Sequence, residues 1–347
     1  MMLLSFLAER PQGSRVTTAD KNAADLDIHP ASPAEREASF HNTHDVWSRG
    51  LPLAEHVAFR MQSPLHGRAQ WFVGCLDGRV VTSLAVHPLE YQLRGQHLRG
   101  FAIGSVHTLK EFRRRGFAPR LLAWVEEYRR QLGDQLSLLY SDIDPEFYAT
   151  LGYQLAPAFS GWCDREQQAD LSRPVADIQP DDNPHLERFD GRQGLAAMAK
   201  MYQSFHSSRP LSIVRSPEYW AHLFERQPTD EYYWIATAPK KAIGYVRLKP
   251  KGDDLHLVDF GFVDPPVTEM VLQLQYAMLF RLLVEHAFQR GAARIGGWLP
   301  DSPIARHWFK PQPRPEEIPM FKPLDPAVTL DSESIAGTDC FCELDHV

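Results

Sequence analysis

The sequence predicts an α+β fold, within the wider α/β class, built as two related domains. Three observations predict it. A chain of 347 residues accommodates two to three domains of roughly 150 residues each. The order helix, helix, strand, strand, strand, helix, strand is legible in the first half and returns in the second with little identity, as in a duplicated unit. Between the two runs lies DREQQADLSRPVADIQPDDNPH, polar and proline-bearing, with the character of a linker. The expected division is a mobile lead-in over residues 1–30, a first domain over 31–165, a linker over 166–190 and a second domain over 191–347.

The elements of the first half follow in order. SPAEREASFHNTHDVWS opens on Ser32-Pro33, a capped helix start, and LAEHVAFRMQ gives a second helix. AQWFVGCL, RVVTSLAVHPLEYQL and HLRGFAIGSVHT carry strand signals, with Asp77-Gly78 as the hairpin turn between the first two. A helix runs from about Gly116 to Leu132, and LSLLYSDI is a short buried strand. DPEFYATLG is a short helix with Pro145 in its first turn and Gly152 at its stop. In the second half GLAAMAKMYQSFHSS and SPEYWAHLFERQ are helices; EYYWIATA, KAIGYVRLKP and LHLVDFGFV are strands; EMVLQLQYAMLFRLLVEHAFQRG is a long helix and ARIGGWLP a strand. The last 40 residues hold KPQPRPEEIPMFKPLDP, too rich in proline to assign, and TDCFCELDHV, which reads as a strand.

Composition excludes several classes. Apolar residues make up 44% of the chain, enough for packed cores and too many for a disordered protein. The net charge of −7 sits entirely in residues 166–347, which hold 26 acidic and 19 basic side chains, so the chain is no nucleic-acid binder by charge. The four cysteines, Cys75, Cys163, Cys340 and Cys342, match no zinc spacing; no metal is expected, and free thiols fit a reducing, cytoplasmic setting. MMLLSFLAERPQG is too short and lacks the basic start of a signal peptide, and no apolar run reaches the ~18–20 residues of a membrane span.

The most informative stretch is SVHTLKEFRRRGFAPRLLAWVEEYRR, residues 105–130: a strand, then three arginines, Gly116 and an amphipathic helix. A helix start already favours anions, so cations there are poor electrostatics unless a polyanion uses them. Gly116 lets a ligand approach the backbone, and Ala118 keeps the first turn small. Local chemistry leaves two readings, a phosphate or pyrophosphate site or an ordinary surface cluster of arginines. The pattern Val106-x-Thr108 followed by Arg113-x-x-Gly116-x-Ala118 resembles the acetyl-coenzyme A motif of the GCN5-related N-acetyltransferases, the GNAT superfamily. EFYATLGY, Glu146 to Tyr153, resembles that family's closing helix and strand, and the match spans roughly residues 30–160.

The resemblance implies tandem GNAT folds, each a mixed, mostly antiparallel sheet flanked by helices, the second degenerate. It implies that Val106, His107, Thr108, Arg113, Arg114, Arg115, Gly116, Phe117 and Ala118 hold acetyl-coenzyme A, with Arg113, Arg114, Arg115 or Arg120 on its phosphates. At the corresponding place the second half has GFVDPPVTEMVLQ, where Asp264 and Pro265-Pro266 replace arginine and glycine; that half is expected not to bind the cofactor and to shape the acceptor site.

Acetyl transfer to an amine needs deprotonation of the ammonium, stabilisation of the oxyanion and a proton for the departing thiolate. The resemblance gives the last role to Tyr148 and the oxyanion donor to a backbone N–H near Val106. The base stays open: His107, the titrating residue of a strand without carboxylates; Asp142 or Asp144; a water chain; or the chain's C-terminal carboxylate, which enters the site in some tandem members. LYSDI with Phe-Tyr and Leu-Gly-aromatic resembles fungal lysine N6-acetyltransferases, and the tandem order resembles Eis-type aminoglycoside acetyltransferases. Both imply a small cationic amine as acceptor; Asp142 is a candidate either to hold its ammonium or to cap the short helix. A non-catalytic acyl-coenzyme A sensor and a protein lysine acetyltransferase are the alternatives. Trp47, Trp71 and Phe101 are candidates to line a pocket or to fill the core. Nothing in the sequence sets the oligomeric state.

Overall fold

The computed structural model describes residues 26–166, 184–239, 241–336 and 342–347. Most of the expected lead-in and linker, and Cys340, lie outside the described residues.

The first half begins with β1 (Asp27–Pro30), α1 (Pro33–Asn42), α2 (His44–Trp47), α3 (Leu53–Gln62) and α4 (Pro64–Arg68). It continues with β2 (Gln70–Leu76), β3 (Arg79–Leu93), β4 (Gln96–Thr108), α5 (Phe117–Gln131), β5 (Leu136–Ser141), α6 (Glu146–Ala149), β6 (Gln154–Leu155) and β7 (Phe159–Asp164). α1 starts on a reciprocal cap: Glu35 N donates to Ser32 Oγ at 3.3 Å and Ser32 N to Glu35 Oε2 at 2.8 Å. The β2–β3 and β3–β4 hairpins turn on Asp77-Gly78 and Arg94-Gly95, all four in the left-handed region that two-residue hairpins need. α5 buries Leu121, Leu122 and Val125 against Phe72, Leu84, Phe101 and Leu139 of the sheet. The helices α1 and α3 cover the other face, where Phe40 meets the edge of Trp71 at 4.9 Å.

The second half holds β8 (His185–Phe189), α7 (Gly191–Ser207), β9 (Leu211–Val214), α8 (Pro217–Arg226), β10 (Glu231–Ala238), β11 (Lys241–Lys251) and β12 (Asp254–Phe262). There follow α9 (Glu269–Gln289), β13 (Arg294–Trp298), α10 (Pro303–Phe309), β14 (Gln312–Pro313), β15 (Ile318–Pro323) and α11 (Ser332–Ala336). Each sheet is antiparallel except for one parallel pair, β4 with β5 and β12 with β13. In both halves a long helix, α5 or α9, connects the parallel pair. The duplicated, mixed, mostly antiparallel architecture read from the sequence is the architecture observed.

The sheets exchange strands across the division at the linker. β7, from the first half, pairs with β13, and β15, from the second half, pairs with β5 along all six of its residues. β9 also joins the first sheet, beside β3. The result is an eight-stranded and a seven-stranded sheet, each completed by the other half. Asp27–Pro30, assigned to a lead-in, and His185–Phe189, assigned to a linker, are edge strands of the two sheets. Cys342–Val347, read as part of a strand, forms a single 3₁₀ turn at Glu343–Asp345 instead.

One apolar core crosses the junction: Leu136, Leu138 and Phe321 of the first sheet meet Met198, Trp220 and Tyr245 of the second half. Buried beside it, the Arg215 guanidinium donates to Asp259 Oδ2 at 2.7 Å and Asp345 Oδ2 at 2.7 Å and lies over the Tyr202 and Trp220 rings. Burial alone raises the Asp259 carboxyl, but Arg215 and Tyr245 donate to it and hold it below the usual range. The Asp345 carboxyl, fully buried, is raised by desolvation despite Arg215. This ion cluster fixes the 3₁₀ turn, and with it residues 346–347, to the second sheet.

Candidate active site

The site is built from the point where β4 and β5 part. Their parallel register runs from Gly100↔Leu136 to Ile103↔Leu139 and stops there. Gly100 belongs at the closest approach, since a Cβ there would lie 2.1 Å from the Leu136 carbonyl oxygen. Past Ile103 the β3–β4 ladder shifts register, so that Ser83 faces His107 while Ala85 faces Gly104. Ser105 takes the extra turn with φ +53°, a left-handed value uncommon for serine. The bulge leaves a backbone stretch around Val106 unzipped from β5, where a ligand can use it.

The arginine loop follows. Arg113, Arg114, Arg115 and Gly116 are exposed. Arg113 Nε donates back to the Thr108 carbonyl at 3.0 Å, and Arg115 lies over the Phe112 ring at 5.1 Å. Arg114 at φ +62° and Gly116 at φ +74° turn the loop into α5. Gly116 is the N-cap of α5 and supplies no side-chain acceptor, so the first-turn N–H groups of Phe117 and Ala118 are left uncapped; Pro119 has none. A Cβ at Gly116 would meet nothing within 4 Å: the space beside the helix start is open. The junction in the second half is closed by contrast. α9 starts on Thr268, whose hydroxyl accepts from Val271 N, with Glu269 in the first turn and Pro265-Pro266 in the loop.

The other expected residues separate onto two faces. Tyr148, in α6, packs with Val106, Ile103 and Leu139 on the α5 face. Its phenol is pushed up to about 12 by burial and by Asp142, so it holds its proton at neutral pH. No hydrogen bond to its hydroxyl is present among the described residues. His107 points the other way, toward Trp47, with ring centroids 6.1 Å apart. Burial and Arg113 push His107 down to about 4, which makes it a weak base at neutral pH. Asp142 is exposed but crowded: partial desolvation and Glu316 raise it, against a hydrogen bond from the Glu317 backbone. Asp144 is spent on the short helix, accepting from Glu146 N at 3.0 Å. Trp71 and Phe101 are core residues at 4% and 0% exposure; Trp47 is half-buried beside His107.

Two further groups reach this place: the C-terminal residue, which sequence reasoning named among the candidate bases, and His87, which it did not. A Cβ at Gly104 would lie 3.4 Å from the Val347 main-chain oxygen and 3.5 Å from His87 Nε2. His87 is fully buried and its imidazole is held neutral by desolvation and by Arg226. The C-terminal stretch was read as a strand whose end could enter the site; nothing in the sequence singled out His87.

The one close group of metal-ligating side chains among the described residues is His29, Glu35 and Cys75, within 4.8 Å of one another at the β1 edge. Glu35 there already caps α1 and accepts from His29 at 2.9 Å, and burial lifts the Cys75 thiol to about 11. A cavity of about 120 Å³, lined by Arg68, Glu90, Arg99, Arg129, Asp134 and Tyr219 among others, lies toward the opposite end of β4 from the arginine loop.

Residues 27–156 match the family model of the acetyltransferase (GNAT) domain. Acyl transfer from an acyl-coenzyme A is the chemistry of that family. No curated protein sequence is a significant match. Among solved structures, this chain is similar to a probable N-acyltransferase of Enterococcus faecalis V583, with a TM-score of 0.66 at 14% identity over 86% of this chain and 72% of that one. It is similar to Eis1 from Mycobacterium abscessus, with a TM-score of 0.55 at 18% identity over 86% of this chain and 74% of that one. It is also similar to Saccharomyces cerevisiae N-myristoyltransferase, solved with bound myristoyl-CoA, with a TM-score of 0.53 at 11% identity over 91% and 89%. At such identities the likeness is one of fold. No helix among the described residues is long and apolar enough to cross a membrane.

Proposed function

We propose that this chain is an N-acetyltransferase that moves an acetyl group from acetyl-coenzyme A to the primary amine of a small acceptor by direct attack. The observation that carries the reading is the junction itself: a bulged strand parting from its neighbour, then an uncapped helix start beside three exposed arginines. The backbone of Val106 and Thr108 pairs with the pantetheine arm. The N–H groups from Arg114 to Ala118 take the pyrophosphate, and Arg113, Arg114 and Arg115 add charge-assisted contacts, stronger than neutral ones. The second half, with its self-capped and acidic α9 start, binds no cofactor and shapes the acceptor site.

The amine attacks the thioester carbonyl. The developing oxyanion is met by the N–H near Val106, and the C–S bond breaks as Tyr148 gives its proton to the sulfur. A phenol held up at about 12 suits that role, because it arrives protonated. The ammonium must first lose its proton to a group on the Gly104 face of β4. His107, at about 4, is a poor match to that task. Asp142, water and a carboxylate on Val347 are the candidates, and Val347, whose main chain stands against Gly104 beside neutral His87, is the one tested first. Appending two alanines after Val347 then lowers kcat and leaves acetyl-coenzyme A affinity unchanged; equal kcat in the extended protein returns the role to Asp142 or to water. Acetyl-coenzyme A consumption across a panel of amines, followed by free thiol release, tests the activity as a whole.

A further inference from the structure

Four chain segments bring an unusual set of side chains together where β5 ends. Tyr140 comes from β5, Trp298 from the end of β13, Arg314 from the loop after β14, and His346 from the C-terminal turn. The Arg314 guanidinium lies 3.5 Å from the centroid of the Trp298 ring, and the His346 ring stands edge-on to Tyr140 at 4.9 Å and 5.7 Å from Trp298. Tyr140 is the residue after Leu139, where the β4–β5 register stops, as Gly104 is the residue after Ile103. The cluster therefore borders the parting of the strands, next to Val347.

Arg314 is 8% exposed and Tyr140 9% exposed. Yet Nε and Nη1 of Arg314 and Oη of Tyr140 are buried with no hydrogen-bond partner among the described residues. Packing on Trp298 satisfies the face of a guanidinium, not its N–H edge. A buried donor left without an acceptor costs about 1–3 kcal/mol, and more when charged, so such groups are retained where something else supplies the acceptor. Three unpartnered donors on two residues that both pack against Trp298, one of them a planar cation, suit a carboxylate. Burial lowers Arg314 to about 10, which leaves it charged at neutral pH, and lifts Tyr140 well above its usual range, which keeps the phenol a donor. The opposite pole is close by. Glu317 follows Arg314 by three residues, feels both Arg314 and Asp142, and is raised chiefly by desolvation and by neighbouring Glu343. Asp142 accepts from the Glu317 backbone.

We propose that Arg314 and Tyr140 are the carboxylate-binding end of the acceptor site, and that the acceptor is amino-acid-like, carrying a carboxylate as well as its primary amine. This rests on the acyl-transfer reading of the junction where β4 and β5 part and narrows its substrate class: a diamine or an aminosugar offers nothing to the guanidinium. The acidic pair Asp142 and Glu317 receives the ammonium, and Arg314 with Tyr140 orients the molecule from its other end.

The test uses matched pairs that differ by one carboxylate: lysine and 1,5-diaminopentane, ornithine and 1,4-diaminobutane, tryptophan and tryptamine. Each is titrated calorimetrically into the full-length protein in the presence of coenzyme A, with wild type, Arg314→Gln and Tyr140→Phe. The expected result is that at least one amino acid binds the wild type and its decarboxylated partner binds at least tenfold more weakly. Arg314→Gln then loosens the amino acid by about tenfold or more, the loss of a charge-assisted hydrogen bond, and leaves the amine partner and acetyl-coenzyme A unaffected. Tyr140→Phe removes only a hydroxyl that has no partner, so it folds as the wild type does and weakens the same ligand. Equal affinity within every pair, a loss in Arg314→Gln shared by amine and amino acid, or no amino acid bound by folded wild type overturns the proposal. Acetyl transfer to amines is assayed separately on the wild type. Transfer without carboxylate preference defeats this inference alone; absence of transfer to every amine defeats the activity.

Discussion

At the residue scale the account rests on Tyr148 and Gly116. Tyr148→Phe keeps the ring in the α5-side core and deletes the hydroxyl proposed to be the proton donor. It should lower kcat by about 10²-fold or more, the range of a lost general acid, with acetyl-coenzyme A affinity within a factor of two or so of wild type. Stopped-flow turnover and calorimetric binding on the same preparation separate the two; unchanged turnover removes Tyr148 from the mechanism. Because burial and Asp142 hold the phenol at about 12, it stays protonated from acid through neutral pH, and activity should show no alkaline fall from this group until roughly pH 11. The kcat–pH profile between 6 and 10 checks it, and a fall centred near 8 contradicts it. The left-handed turn at Gly116 was legible from sequence because it is backbone geometry at a known spacing. Arg314 and Tyr140 were not: they lie 174 positions apart in the chain and meet only through a strand exchange that no local pattern encodes.

At the scale of elements, the parallel pairs, the connecting helices and the two hairpins were readable because each is a local pattern of apolar periodicity bounded by turn residues. Strand exchange was not readable. IPMFKP alternates too poorly with its two prolines to declare itself, yet it pairs with β5 over Ile318–Pro323. The C-terminal turn is likewise held by tertiary contact, through Asp345 to Arg215. Arg215→Met strips the countercharge from two buried carboxylates at once and should destabilise the fold by about 3–5 kcal/mol. Denaturant unfolding followed by tryptophan fluorescence measures it. A loss under about 1 kcal/mol would show that the cluster is not what anchors the turn.

At the scale of the whole molecule, the two sheets complete one another, so the halves are one folding unit despite the duplicated pattern. Residues 26–166 expressed alone should not yield a soluble, cooperatively unfolding protein, since β5 loses β15 and its core face loses Met198 and Trp220; a sharp thermal transition from that fragment would contradict it. Buried imidazoles set the acid limit. His66 is pushed down to about 3, His206 to about 3 and His222 to about 4, each first by desolvation. In the unfolded chain they bind protons below about 6.5, so the unfolded state carries more protons there, and stability falls as pH drops from about 6.5 toward those folded values. Thermal midpoints between pH 7.5 and 5 should decline steadily; a flat profile contradicts the burial. The central claim is that the arginine loop and the α5 start hold acetyl-coenzyme A. The measurement that tests it most directly is calorimetric titration of acetyl-coenzyme A into the wild type and into Gly116→Glu, which places an anion and a side chain in the open space beside an uncapped helix start. Micromolar binding by the wild type, lost in a variant with an unchanged thermal midpoint, is the result predicted. Equal binding by both proteins would place the cofactor elsewhere, and no binding by folded wild type would leave the motif without its ligand.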